Sequence, residues 1–340
     1  MTGWRSAAWL PLALLVGVLC TTPPAGATDD ERPSSRRLFT FVGDDVYESS
    51  GLADLGSIVY TVNDSGDDAV VYGVDPRTGE TVSRTTYADE ATDVEALARG
   101  VGGTLWAGDI GDNRGQREEV TVYRVRPEDG DRPGRRFTLA YPDGARDAET
   151  LLVHPRSSRV FVVSKSVFGG TVYAAPEDLA ARGPRNVLRP FAQVAGLVTD
   201  GAFFPDGRHV LLRTYETASV YTFPGFDLLG TLRLPSQRPG EAISVSPDGR
   251  VLISSEGVST DVVVVSVPRS LTEPASTATS TATASQRPLP TAPPPVNRAD
   301  PTPEPRGAGE WAGIGLVAAG VLALAWLTLK ASRLRGPRGR

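Results

Sequence analysis

The strongest constraint on this chain is a pattern that returns five times between residues 37 and 270. Each return opens with a small or acidic residue ahead of an apolar one: Ser50-Gly51-Leu52, Glu95-Ala96-Leu97, Glu149-Thr150-Leu151, Gly201-Ala202-Phe203 and Glu241-Ala242-Ile243. A turn follows, most plainly Pro205-Asp206-Gly207-Arg208 and Pro247-Asp248-Gly249-Arg250. Next comes a strongly apolar run (58–62, 104–107, 160–163, 210–212, 251–253), then a third run built on valine or tyrosine (70–74, 120–125, 172–174, 220–223, 262–267). Short β-branched runs punctuated by Gly, Pro and Asp read as strands, and no segment here keeps a convincing helical period. From Leu52 through Leu97, Leu151 and Phe203 to Ile243 the spacings are 45, 54, 52 and 40 residues. That is one four-stranded propeller blade per repeat.

The expected fold is therefore an all-β propeller with five blades, six being the alternative. A β-sandwich has no need of the repeat. The fourth repeat carries an outer run at 228–234, whereas the fifth has none before the composition changes. The orphan run at 37–42 is expected to fill that place, closing the ring and removing an open sheet edge.

The two ends of the chain read differently. Arg5, a short apolar core and Ala25-Gly26-Ala27 form the pattern of a secretory signal peptide, residues 1–27. Residues 28–36 are expected to be disordered, and 271–310 form a Ser/Thr- and then Pro-rich linker tending to polyproline II. Residues 311–329 carry no charge and are long enough to cross a bilayer as one helix, with Glu310 before them. Lys330, Arg333, Arg335, Arg338 and Arg340 follow, so the 330–340 tail is expected in the cytoplasm and the propeller outside. The one cysteine, Cys20, falls inside the signal peptide, so the expected ectodomain holds no disulfide and depends on its core.

Charge is informative by location. Between Asp29 and Glu310 stand 29 basic residues against 40 acidic ones, a net −11. An acidic exterior argues against nucleic acid as a partner and favours cations. Lysine is almost absent: Lys165 and Lys330 are the only two.

Propeller topology says where the polar residues go. The first two strands of a blade form a hairpin, so first-strand starts and second-strand ends share one end of the ring. First-strand starts carry Glu95, Glu149 and Glu241, with Asp93, Asp147 and Asp200 close by. Second-strand ends carry Asn63-Asp64, Asp109, Lys165, Arg213 with Tyr215, and Glu256. Carboxylates converging on one axis repel unless a cation sits among them, and oxygen donors of this type suit a hard ion such as Ca²⁺. Asn63, Glu95, Asp109, Glu149, Glu241 and Glu256 are the candidate metal ligands. Lys165, Arg213 and Tyr215 are candidates to hold an anionic ligand, because a compact ammonium beside a guanidinium complements phosphate or carboxylate. The competing reading makes the same acids interblade ion pairs. There is no cysteine nucleophile, no Cys/His zinc cluster and no Gly-rich nucleotide loop in strand–helix context. His154 and His209 flank turns on the far face, away from the acids.

A set of motifs carries a resemblance. Asn63-Asp64-Ser65-Gly66, Asp93-Val94-Glu95, Gly108-Asp109-Ile110-Gly111-Asp112-Asn113, Tyr141-Pro142-Asp143-Gly144, Asp147-Ala148-Glu149 and Ser254-Ser255-Glu256-Gly257 stand in that order. Over about residues 45–260 the chain resembles a family of secreted or membrane-anchored bacterial propellers common in actinobacteria. The resemblance implies the fold and a cell-surface location, and no activity. In outline the chain is also similar to regucalcin and gluconolactonase-like propellers, which hold a divalent metal on acidic and Asn residues; Glu95 or Glu149, Asn63 and Asp109 would correspond. β-Propeller phytases surround phosphate with Ca²⁺, Lys, Arg and Tyr; Lys165, Arg213 and Tyr215 would correspond. Both groups have six blades against five repeats here.

Three functions are thus expected to compete. The first is a membrane-anchored binding module holding a divalent cation, and with it a small molecule, glycan or protein ligand. The second is a metal-dependent hydrolase of an ester, lactone or phosphate, with Glu149 or Glu241 as base and Lys165 and Arg213 on the anion. The third is a protein-interaction platform with no small-molecule site.

Overall fold

The computed structural model describes residues 33–64, 68–182, 184–237 and 239–272. The expected signal peptide, membrane helix and basic tail, and nearly all of the linker, lie outside the described residues. Within them the chain is a five-bladed β-propeller. The inner strands of blades 1 to 5 are Ser49–Asp54, Val94–Arg99, Ala148–Val153, Asp200–Phe203 and Gly240–Val245. They contact one another in ring order, the fifth meeting the first. Each leads by an antiparallel hairpin to a second strand: Val59–Asn63, Leu105–Asp109, Val160–Ser164, His209–Arg213 or Val251–Ser255. A third and an outer strand complete every blade. The only helical turns among the described residues are 3₁₀ segments at Val101–Gly103 and Arg269–Leu271.

The apolar runs are continuous rather than alternating because both faces of every sheet are buried. In blade 3, Val160 and Val162 pack toward blade 2, whereas Phe161 and Val163 pack toward blade 4. The same division repeats round the ring, giving five clusters, each filling the space between two adjacent sheets. Two glycines mark close approaches. A Cβ on Gly51 would lie 2.2 Å from the backbone nitrogen of Leu97 in the next blade, and one on Gly201 would lie 2.6 Å from a Leu212 methyl.

The ring closes through the N-terminal strand, as the repeat implied. Ser35–Thr40 pairs antiparallel with Asp261–Val265, so blade 5 takes three strands from the end of the described chain and one from its beginning. The strand begins at Ser35, two residues before the expected boundary, because the third strand runs far enough to offer Val264 and Val265 as partners to Arg36 and Ser35. Phe39 and Phe41, edge to face with centroids 5.4 Å apart, fill the cluster between blades 5 and 1.

Closure by so few residues makes it sensitive. Phe39→Ala is expected to destabilise the fold by about 3 kcal/mol, the usual scale for deleting a buried ring. Urea denaturation of the two proteins checks this; a loss below about 1 kcal/mol would mean the N-terminal strand does not secure the ring.

Candidate functional site: an acidic mouth on the propeller axis

The hairpin registers place the chemistry at one end of the ring. Ser49 faces Asn63, Val94 faces Asp109, Ala148 faces Ser164, Asp200 faces Arg213 and Gly240 faces Ser255. In four blades the ladder slips just after the inner strand begins. The register skips Ser50, Glu95 and Glu149, and in blade 5 it skips Glu241 with Ala242. A bulged residue is released from the ladder and its side chain is re-aimed. Three of the four bulges carry a glutamate, so strand geometry turns three carboxylates toward one another.

The electrostatics follow from burial and crowding. Glu95 is pushed up to about 10, first by burial, then by Asp64, Glu149, Asp93 and Asp147. Glu241 is pushed up to about 8 by burial, Glu149 and Glu256, with Lys165 and Arg213 pulling the other way. Glu149 is pushed up to about 7 by burial against the opposing hydrogen bond and charge of Lys165. Asp93 and Glu256 are also raised, burial leading in both. Among the described residues, no arginine or lysine lies within ion-pair distance of Glu95 or Glu241.

Asp64, Asp93 and Glu95 each bring a carboxylate oxygen to within 4.8 Å of the other two. Gly111 lines this group. A Cβ there would lie 2.5 Å from Asp93 Oδ2 and 2.7 Å from Glu95 Oε1, so only glycine leaves the carboxylates room. Of the sequence-derived metal candidates, Glu95 belongs to this trio. Asp64 and Asp93 are additions; their signal was the Asn-Asp turn and the Asp-x-Glu pair, in which the first acid sits just outside the strand.

The other candidates are placed as follows. The Asn63 amide oxygen accepts from the backbone N–H groups of Tyr47 and Glu48, and its amide nitrogen donates to the Asp45 carbonyl. Asp109 accepts from Thr92 N and Asp93 N and pairs with Arg117 at 2.8 Å. Both side chains are thus committed to holding loops. Glu149 and Lys165 form a close ion pair, with the lysine ammonium 5.8 Å from the centre of the Tyr215 ring. Burial disfavours the lysine charge, but the Glu149 carboxylate outweighs it and raises its pKa. Glu149 Oε2 is buried and has no hydrogen-bond partner. The Glu256 backbone forms an isolated antiparallel bridge with Glu48.

Arg213 is in a different situation. It is fully buried, and its guanidinium donates to Ala242 O at 2.6 Å, Ser254 O at 3.0 Å and Gln237 Oε1 at 2.7 Å. Gly240 makes the passage possible: a Cβ there would lie 1.9 Å from Arg213 Nη2. Asp200, wholly buried, accepts from Gly201 N and from Ile243 N of the next blade, both at 2.7 Å. These two charged residues join blades 4 and 5, and four of the five Arg213 N–H donors are already given to protein oxygens.

The class defined here is a five-bladed propeller with a carboxylate-rich axial mouth. Neither a protein-family model nor a curated protein matches this chain.

Two predictions come from the charges. The folded-state values of Glu95, Glu149 and Glu241 lie above their ordinary 4.5, so the native state holds more protons than the unfolded one. Their contribution to stability is complete below about pH 4.5 and is lost as pH rises through about 7 to 10. Without divalent cations, urea unfolding at pH 5 and pH 8 is expected to differ by at least about 2 kcal/mol in favour of pH 5; Glu95→Gln with Glu241→Gln should flatten that slope. Arg213→Met is expected to cost about 3 kcal/mol or more, since buried carbonyls lose their donor and Asp200 its neighbouring cation. A urea midpoint unchanged by that substitution would contradict the structural role.

Proposed function

We propose that this chain is a cell-surface propeller that binds a divalent cation, Ca²⁺ being the best fit, in its acidic mouth. The carrying observation is the trio Asp64, Asp93 and Glu95, whose oxygens lie close enough to share one ion at ligand distances of about 2.3–2.6 Å. Hard carboxylate oxygens without sulfur or imidazole select Ca²⁺ or Mg²⁺ over zinc. Glu149 and Asp147 add negative charge nearby. A cation would relieve the repulsion that helps raise Asp93 and Glu95. The cell-surface location rests on the apolar segments 1–27 and 311–329 with the basic tail, and on the motif resemblance to secreted bacterial propellers.

A second reading, metal-dependent hydrolysis, is favoured by one specific group. Glu149 has one oxygen on Lys165, a second buried oxygen without a partner, and a pKa of about 7. Those are the properties of a general base beside a cation-bound water. Lys165 and Tyr215 would meet the substrate's anionic group, and Arg213 drops out of that role. The platform reading, in which every acid has an arginine partner, is disfavoured at Glu95 and Glu241.

Calorimetric unfolding of the full-length chain, with chelator and then with Ca²⁺, decides the first reading. At a hundredfold excess over Kd the expected stabilisation is about 2.7 kcal/mol. Asp93→Asn with Glu95→Gln should raise the stability of the chelated protein at pH 8 and abolish the Ca²⁺ response. No shift with Ca²⁺, Mg²⁺ or Mn²⁺ would sink both metal readings. If Ca²⁺ binds, Glu149→Gln separates them, since a binding module keeps a Ca²⁺ response, weakened only by the lost neighbouring charge, and a hydrolase loses turnover.

A further inference from the structure

At the end of the axis opposite the acidic mouth the ring encloses a cavity of about 360 Å³. All five blades line it through the far ends of their inner strands: Leu52, Leu97, Leu151, Phe203 and Val245. The proline turns at Pro155, Pro205 and Pro247 form part of its wall. This size lies within the usual range for small-molecule sites, and the lining side chains are apolar apart from Arg99 and Ser244, with backbone groups between them.

One charged side chain lines it. Arg99, the last residue of the blade 2 inner strand, is half-buried in that wall. Among the described residues no hydrogen bond reaches its guanidinium and no carboxylate lies within 4 Å of it. The nearest acid, Asp54, pulls on it only through space. Asp54 Oδ1 accepts from Gly56 N at 2.6 Å, and Oδ2, buried and without a hydrogen-bond partner, lies 3.5 Å from Arg250. Arg99 thus lines the cavity with its donors unengaged by any hydrogen bond, and its one electrostatic support is the more distant Asp54.

The contrast with Arg213 is instructive. That arginine is more deeply buried, yet it has backbone carbonyls and Gln237 as acceptors. A planar guanidinium at the edge of an apolar chamber matches a carboxylate, with two parallel N–H···O bonds. The acidic mouth at the other end repels anions, so the two ends of the axis sort ligands by charge.

We propose that this cavity is a second ligand site, for a small amphipathic carboxylate. The carboxylate lies on Arg99, and its aliphatic or aromatic body fills the space between Leu52, Leu97, Leu151 and Phe203. The site is independent of cation binding at the mouth.

Isothermal titration of the full-length chain with four probes tests it: octanoate, octylamine, octanol and acetate. Octanoate should bind, octanol more weakly, and octylamine and acetate not measurably at the same concentrations. Arg99→Gln should weaken octanoate about tenfold or more, the usual loss for a hydrogen bond to a charged group, and leave octanol unchanged. Ala202→Trp, on the cavity wall, should block both. Thermal melts of each variant, with the Ca²⁺ response as a control at the far end, report whether folding survives. Octylamine binding as tightly as octanoate, octanoate affinity unchanged in Arg99→Gln, or no octanoate binding at millimolar concentration would each overturn the proposal. The comparison of octanoate with octylamine uses the unaltered chain, so it stands even if a variant fails to fold.

Discussion

Everything in this molecule rests on the packing of one sheet face against the next. No blade has a core of its own. Phe161 and Val163 face blade 4 while Val160 and Val162 face blade 2, so each sheet is stable only between two neighbours. Such an arrangement tolerates no open end, because a terminal sheet would expose an apolar face. The N-terminal strand removes that difficulty by pairing with Asp261–Val265 and placing Phe39 and Phe41 between blades 5 and 1. Chain ends that are distant in sequence thereby become neighbours, and the five clusters form a closed cycle.

Within that cycle the inner strands act as rulers of about six residues. Their first residues end at one mouth of the ring and their last residues at the other. The bulges at Glu95, Glu149 and Glu241 exploit this, since a residue freed from the ladder can face its counterparts. The consequence is energetic as well as geometric. Burial and mutual repulsion raise all three carboxyl groups, so the mouth costs stability at neutral pH. Blades 4 and 5 are joined by Arg213 and Asp200, whose charges are answered largely by backbone groups. Groups with complete partners hold the ring; groups without them face the axis.

Much of this was legible in the sequence, and the rest failed for physical reasons. The repeat spacing gave five blades, and the missing outer strand of the fifth repeat pointed to the N-terminal run. The hairpin rule brought Glu95, Glu149, Glu241 and Lys165 to one end. Asn63 and Asp109 were harder, because Asx side chains serve loop backbones as readily as they serve ions, and only coordinates distinguish Tyr47 N or Thr92 N from a metal. Arg213 shared the address of Lys165, yet its fate depends on the missing Cβ of Gly240, in a strand beginning 27 residues later. Asp64 and Asp93 join Glu95 across two blades, a proximity that no local pattern encodes.

The same ruler explains why the two mouths differ so sharply. At the start of each inner strand the ladder can slip, and a polar residue released there still reaches solvent. At the far end the strands converge on Leu52, Leu97, Leu151 and Phe203, and the proline turns hold the backbone in place. The inner strands of blades 3 to 5 end there on Val153, Phe203 and Val245, whereas those of blades 1 and 2 end on the charged pair Asp54 and Arg99. Of these two, Arg99 is the one that lines the cavity. A half-buried guanidinium that lines a cavity and makes no hydrogen bond of its own points to a ligand rather than to packing.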